Sequence, residues 1–270
     1  MKFIAIVCFC LFLISCQGIN KILKNPDPAY KLRMAEQYYV KKKYTYAQQL
    51  FEDVMPYFKG KEEFENIYYK YAYTAYNQKD YLNAENLFKT YLEVFPNSPR
   101  AEEIEYMRAY SFYKQSPKPE LDQANTIKAM GMMQTFINTH PNSTRNKEAA
   151  DIIAIGRQKL ETKDYKAAQL YYNRELFRAA AVAFNTLVNN YPDSPKGDEY
   201  KMMAIKSYFR FAEMSVEEKK GERFEKVIEE CNEFLGRFPE SGFSKEVERY
   251  LTLSKTNLKN ISNEPVKTTT

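Results

Sequence analysis

Residues able to carry out acid–base or metal chemistry are scarce in this sequence. It has one histidine, His140, no Cys/His cluster with the spacing of metal ligands and no glycine-rich phosphate loop. His140 precedes a proline in a repeated phrase whose other copies carry the rings of Phe95, Tyr191 and Phe238 at that position. We therefore predict a packing role for the imidazole and expect no catalytic residue, metal site or cofactor. An enzyme built on a helical solenoid, such as a murein lyase, would need a separate catalytic domain. The sequence repeats described below leave no room for such a domain.

One cysteine, Cys16, lies where its thiol could be modified. Lys2 gives the chain a positive start, and residues 3–14 form an apolar run too short to span a bilayer as a stable helix. The run ends in Leu13-Ile14-Ser15-Cys16, which resembles the bacterial lipobox, the site of cysteine acylation. We predict a signal peptide over residues 1–15 and lipidation of Cys16, where each buried acyl methylene contributes roughly 0.8 kcal/mol to anchoring. An ordinary signal peptide with a coincidental cysteine is the alternative.

Composition favours an all-helical protein packed through aromatic rings. The chain has 23 Tyr, 18 Phe, no Trp and only 8 Gly. After removal of Lys2 it has 39 basic and 35 acidic residues, interspersed without a long basic block. This distribution argues against nucleic acid as the main partner. The single cysteine beyond the anchor, Cys231, lies in an apolar helical pattern and is predicted to be a small buried hydrophobe.

A self-similar phrase recurs four times and indicates stacked repeats. Its spacings are 45, 51 and 47 residues. Small residues such as Ala84 and Ala180 precede each proline at a fixed distance, followed four residues later by a ring or another apolar residue. In each copy proline ends one helix and Asn, Asp or Ser can cap the next. The copies are Phe95-Pro-Asn-Ser-Pro99, His140-Pro-Asn-Ser-Thr144, Tyr191-Pro-Asp-Ser-Pro195 and Phe238-Pro-Glu-Ser-Gly242.

This pattern is similar to the tetratricopeptide repeat and predicts an all-α, right-handed solenoid of about five helix pairs. The third and fifth pairs require polar or proline-rich insertions in their turns. The predicted organisation is a signal peptide (1–15), a lipidated tether (16–28), three repeats (29–144), two repeats (145–260) and a disordered tail (261–270).

Tyrosines recur at the first-helix positions that line the concave face of such repeats. We predict a groove for an extended, aromatic-bearing peptide, because rings with a polar tip bury area at low entropy cost and still satisfy backbone groups. The alternative is that these rings pack locally. The predicted groove residues are Tyr39, Tyr69, Tyr73, Tyr76, Tyr106 and Tyr110.

The lipobox, the short tether and the five repeats together resemble the BamD (YfiO) family of outer-membrane protein assembly lipoproteins. The most specific likeness is Phe95-Pro-Asn-Ser-Pro99 followed by Tyr106-Met107-Arg108-Ala109, and then Tyr191-Pro-Asp-Ser-Pro195. The family commonly has Gly where Ala109 stands.

The resemblance implies a non-enzymatic scaffold of the β-barrel assembly machinery, lipid-anchored on the periplasmic face of the outer membrane. Its amino-terminal repeats would receive the carboxy-terminal signal of unfolded barrel precursors, and its carboxy-terminal repeats would dock BamA. Two other functions stay open: a periplasmic repeat lipoprotein coordinating cell-envelope or division complexes, and a surface glycan-binding lipoprotein. The glycan reading fits poorly with the lack of Trp.

Replacement of Cys16 by Ala should abolish acylation, because the thiol is the predicted attachment atom. Mass spectrometry of the native protein should find acyl chains on Cys16 and none on the Cys16→Ala protein. A native protein without acyl modification at this residue would contradict the anchor.

Overall fold

The computed structural model describes residues 18–263, and all regular secondary structure within them is helical. A short helix, α1, covers residues 18–23. No helix in the described part is both long and apolar enough to cross a membrane. The remaining helices are α2 Pro28–Val40, α3 Tyr44–Phe58, α4 Glu63–Asn77, α5 Tyr81–Val94, α6 Ala101–Lys114, α7 Ala124–Thr139, α8 Asn146–Asn173, α9 Phe177–Asn190, α10 Gly197–Glu213, α11 Glu217–Arg237 and α12 Ser244–Asn263.

Consecutive helices pack as pairs, which confirms the predicted all-α fold of tetratricopeptide-like helix pairs. Within the pairs, α2 packs on α3, α4 on α5, α6 on α7 and α10 on α11. The small positions of the second helices are enclosed: Ala84 on α5 and Ala180 on α9 are fully buried, as are Phe88 and Phe184 four residues later, and Ala180 packs with Ala168 of α8. A methyl group at the contact allows the helix axes to approach, and the ring fills the space beside it.

Three of the turns within helix pairs share a left-handed residue that the sequence pattern does not predict. Lys42, Lys79 and Glu175 adopt positive φ angles of 57°, 64° and 59°. In the first turn, the Lys43 amide donates to the Tyr38 carbonyl and the Lys42 amide to the Tyr39 carbonyl, the bond pattern of a Schellman cap. A left-handed residue other than glycine costs roughly 1–2 kcal/mol, which packing of the paired helices must offset.

The turns between pairs are held by the serine of the repeated phrase. Ser98 Oγ accepts the Arg100 amide at 3.0 Å and donates to Glu65 on α4 at 2.7 Å. The same two partners, an amide two residues ahead and a carboxylate on the first helix of the preceding pair, recur in the other copies. The serine–carboxylate bonds there are Ser143 to Glu102, Ser194 to Glu161 and Ser241 to Asp198.

The chain divides into two compact units. The first comprises Met1–Pro117 and Leu121–Gly156, and the second comprises Lys118–Glu120 and Arg157–Thr270. The division falls within α8, whereas the sequence placed the boundary between three and two repeats at 144/145. Gly156 is the last residue of the first unit, and a Cβ at this position would lie 2.5 Å from the Met130 sulfur.

The segment predicted to be a tether over residues 16–28 contains the packed helix α1. Ile19 and Ile22 are 5% and 8% exposed and join the core of the first pair with Leu50 and Phe51. At the other end, α12 continues to Asn263, into the segment predicted as a disordered tail. The signal segment, Cys16 and residues 264–270 lie outside the described residues.

The second unit contains a buried ion pair that the repeat pattern did not indicate. Lys201 on α10 is 3% exposed, and its Nζ lies 2.7 Å from Glu230 Oε2 and 2.6 Å from Glu233 Oε2 on α11. Asn185 on α9 donates to Glu230 at 3.0 Å. Burial opposes ionisation of Glu230, but hydrogen bonds from Lys201, Asn185 and Lys226 outweigh it and hold the pKa of this carboxyl below its usual value.

Ala180→Leu and Ala84→Leu should each destabilise the fold by about 1–3 kcal/mol, because three extra carbons cannot fit a fully packed helix contact. Thermal melts should show a loss of roughly 2–4 °C for each kcal/mol. Ala179→Leu is the matched control, since the neighbouring residue is exposed. Equal melting temperatures for Ala180→Leu and Ala179→Leu would show that the repeat register is wrong.

Candidate functional site

The predicted tyrosines of α4 and α6 form a connected row in the first unit. On α4, the rings of Tyr69 and Tyr73 are 4.7 Å apart and those of Tyr73 and Tyr76 6.3 Å apart. Their spacing of four and three residues places them on one helical face. The row crosses to α6 through Tyr76 and Tyr110, whose centroids lie 6.4 Å apart. These four rings are partly buried and partly exposed.

A carboxylate on α6, Glu103, joins the hydroxyl tips of this row. Glu103 Oε1 accepts a hydrogen bond from Tyr69 Oη at 3.0 Å and another from Tyr73 Oη. Hydrogen bonds to a charged acceptor contribute about 1.5–3 kcal/mol each, so Glu103 fixes the two rings relative to α6. Burial, followed by the Glu103 bond, raises the pKa of Tyr73, and burial raises that of Tyr69. Both phenols are therefore neutral at physiological pH.

Tyr39 brings α2 to the same site. Burial raises its pKa to about 12, with smaller contributions from the nearby hydroxyls of Tyr69 and Tyr44 and from Glu103. Its ring packs edge-on against Tyr44 at 5.7 Å and Phe51 at 6.2 Å. We call Tyr39, Tyr69, Tyr73, Tyr76 and Tyr110, with Glu103, the tyrosine face.

The prediction that Tyr106 lines the groove has to be corrected. Only 2% of it is exposed, and its ring stacks on Tyr110 at 5.7 Å and meets Phe136 edge-on at 5.5 Å. It stands three residues before Ala109, the fully buried small position of α6, so both face α7. Tyr106 is therefore a core residue that supports Tyr110 and cannot itself line a groove.

The remaining rings also serve the core, so the distinction between packing and surface tyrosines is one of degree. Tyr73 contacts the buried Phe88 at 5.3 Å, and Tyr69 contacts the buried Tyr91 at 6.4 Å. Tyr68, which precedes Tyr69 on α4, contacts Tyr91 at 6.3 Å. Tyr71 packs on the core of the first pair instead. Of these rings, Tyr71 alone packs on the core of the first pair, whereas Tyr68, Tyr69 and Tyr73 pack on the core that contains Phe88 and Tyr91.

Cations border the tyrosine face. The guanidinium of Arg100 lies 4.4 Å from the Tyr69 ring centroid and donates to Asn66 Oδ1 at 3.3 Å. Lys114 Nζ lies 5.1 Å from the Tyr110 centroid. These contacts place positive charge beside the two ends of the tyrosine row, since Tyr69 begins it and Tyr110 completes it. The repeat positions indicate Lys114, which is four residues after Tyr110 on α6, but they do not indicate Arg100, which precedes α6 and contacts Tyr69 of α4.

His140 and Cys231, which could provide acid–base or nucleophilic chemistry, lie outside the tyrosine face. His140 Nε2 lies 2.7 Å from Glu105 Oε2, and its ring packs on Phe136 at 5.0 Å. Cys231 is fully buried, and burial raises the pKa of its thiol to about 12. Among residues 18–263, no group of His, Cys, Asp and Glu side chains is arranged to hold a metal ion.

A second surface feature lies in the second unit and was not anticipated from the sequence. An open apolar recess of about 720 Å³ is lined chiefly by Tyr171, Leu176, Phe177, Val182 and Phe211. Leu176 and Val182 are 51% and 53% exposed. Apolar side chains exposed together on one surface are typical of a contact with another protein.

Comparison with known proteins identifies a family. No curated protein matches the chain. One similar solved structure is the TPR2AB domain:pHSP90 complex of yeast Sti1, with 10% identity, a TM-score of 0.40, and coverage of 84% of this chain and 98% of that one. The family YfiO, described as an outer membrane lipoprotein, matches residues 25–223, which is most of the chain. This protein belongs to the YfiO family of outer-membrane lipoproteins.

Proposed function

We propose that this protein is a non-enzymatic scaffold of the outer-membrane β-barrel assembly machinery, and that its tyrosine face binds the carboxy-terminal segment of unfolded barrel proteins. Membership of an outer-membrane lipoprotein family supports the setting. The observation that carries the proposal is the row of partly exposed tyrosines that joins α4 to α6 and is held by Glu103, with Tyr39 of α2 close to Tyr69.

The chemistry of the tyrosine face suits an extended aromatic peptide. The phenols of Tyr39 and Tyr76 both have pKa values raised to about 12, burial being the main cause, so they stay protonated and can donate to peptide carbonyls. The rings offer edges and faces for aromatic side chains of the ligand. Arg100 or Lys114 would pair with the carboxylate at the end of the peptide.

The proposed setting is the periplasmic face of the outer membrane, with the acyl chains on Cys16 as anchor. A lipid anchor leaves the folded part free to bind soluble precursors beside the bilayer into which they insert.

We further propose that the apolar recess of the second unit docks a BamA-like barrel protein. Leu176, Val182 and Phe211 form its apolar lining, and Arg178 lies at its edge. A central apolar patch with a charged border is the usual composition of a protein–protein interface.

Tyr110→Ala should weaken binding of a carboxy-terminal barrel peptide by about thirtyfold, because removal of a central aromatic anchor commonly costs ~2 kcal/mol or more. Tyr71→Ala is the matched control: its ring packs on the core of the first pair, so truncation should lower the melting temperature and leave peptide affinity unchanged. Peptide affinity is measured by calorimetry and stability by thermal melts. Unchanged affinity in folded Tyr110→Ala would show that these rings serve the core alone.

Val182→Glu should reduce recovery of the BamA-like barrel protein in pull-downs from detergent-solubilised outer membranes, because a carboxylate in the apolar recess must be desolvated on docking. Val94→Glu in the first unit is the control, since Val94 is 46% exposed and lies outside the recess. Recovery is quantified by mass spectrometry. Equal recovery with both variants would contradict docking at the recess.

A further inference from the structure

The positive charge of the protein is concentrated next to its predicted anchor. Residues 18–43 contain seven basic and two acidic residues, whereas the rest of the mature chain contains 32 basic and 33 acidic residues. The interspersed charge seen along most of the chain therefore does not extend to α1, α2 and the turn after them. A strong charge asymmetry between parts of a chain is typical of contact with nucleic acid or a membrane.

Most of these cations are directed to solvent. Lys31 pairs with Asp53 at 2.6 Å and is an exception. Lys21 and Lys24 are exposed, as are the three consecutive lysines 41–43 of the α2–α3 turn. Within residues 18–263, none of these five forms an ion pair.

The packing of α1 limits how far Lys21 and Lys24 can lie from the bilayer. Ile19 and Ile22 dock α1 on the first helix pair, while Lys21 and Lys24 occupy the opposite, exposed side. Cys16 lies two residues before Gly18, a span of at most about 7 Å. Each further helical residue adds about 1.5 Å, so Lys21 stays within roughly 12 Å of the acylated residue. Electrostatic attraction extends about 10 Å at 0.1 M salt.

The lysine turn has a fixed conformation and carries an apolar side chain. Lys42 adopts a φ of 57°, and the turn is closed by bonds from the amides of Lys42 and Lys43 to carbonyls of α2. Val40, immediately before it, is 79% exposed, more than any other large hydrophobic residue of the described part. An exposed apolar residue beside lysines is the composition of segments that rest at the headgroup boundary of a bilayer.

We propose that Lys21, Lys24 and the lysine turn 41–43 form a membrane-contact surface that binds anionic phospholipid headgroups and holds the first unit against the bilayer. The inference rests on the anchor proposed at Cys16 and not on the peptide or BamA-like partner. A single acyl chain gives only reversible binding, and a basic patch is a common second signal. Here the patch would orient a protein that several acyl chains already retain.

The test uses the native lipoprotein reconstituted into two kinds of vesicle, phosphatidylcholine alone and equal parts phosphatidylcholine and phosphatidylglycerol. A membrane-impermeant amine-acylating reagent is added, and the labelling rate of each lysine is read by mass spectrometry. Lys21, Lys24 and lysines 41–43 should react about fivefold more slowly on the anionic vesicles, and the difference should vanish in 1 M salt. Lys255 and Lys259, exposed on α12, should react equally on both.

Equal labelling of the five lysines on both vesicles would overturn the proposal, whether they react fast or are shielded by the anchor alone. Lys21→Glu/Lys24→Glu should abolish the difference at the lysine turn, whereas Lys255→Glu/Lys259→Glu, with the same change in net charge, should preserve it. Equal effects of the two double variants would assign the result to net charge and overturn a local surface. Flotation with phosphatidylcholine vesicles reports the anchor separately, so loss of the anchor and loss of headgroup contact are distinguished.

Discussion

The arrangement of the helix pairs depends on one serine hydroxyl in each turn between them. Ser98 accepts a hydrogen bond from the amide of Arg100, which immediately precedes α6, and donates to Glu65 on α4, so one hydroxyl couples a completed pair to the start of the next helix. Its bond to a carboxylate is of the charge-assisted kind that contributes about 1.5–3 kcal/mol. Tyr91 adds a second donor to Glu65 at 2.7 Å, and these bonds lower the pKa of the carboxyl. The first helices are positioned as a result, and the tyrosine face is built on first helices.

If the tyrosine face binds a peptide as proposed, the repeat fold provides a binding surface without a dedicated binding domain. Its rings contact buried neighbours such as Phe88 on one side, which restricts their motion and lowers the entropy cost of ordering them on a ligand. Their hydroxyls are neutral and are partly satisfied by Glu103. A preorganised aromatic row of this kind would suit the extended, aromatic-bearing peptide proposed as its ligand.

The three proposed surfaces differ in composition. Two of them are proposed to bind proteins and the third to bind lipid, and each composition suits its partner. The tyrosine face combines rings with hydroxyls and cations, the recess around Phe177 is mainly apolar, and the region beside the anchor is basic with a single exposed Val40. Placing the basic surface on the helices next to Cys16 would leave the other two surfaces for the precursors and the assembly partner of an outer-membrane lipoprotein.

The sequence alone determined the helix pairs, because their signals are local. Proline after Phe95 ends a helix, Ser98 can cap the next, and Ala84 with Phe88 recurs at a fixed period. It also located the tyrosines of α4, since residues 69, 73 and 76 share a face in any α-helix. The lipobox is equally local, although Cys16 lies outside the described residues.

Only the tertiary structure decided which tyrosines are available. Tyr106 and Tyr110 are four residues apart on the same helix, yet only Tyr106 is enclosed by α7, and no pattern within α6 states where α7 lies. For the same reason, the sequence does not indicate the role of Glu103, whose partners are 34 and 30 residues away. It does not indicate the pairing of Lys201 with Glu230 across 29 residues either. The packing of α1 also depends on tertiary structure. Two isoleucines within six residues are too few to show a helical period. The helix forms because the first pair offers an apolar surface on which Ile19 and Ile22 are buried.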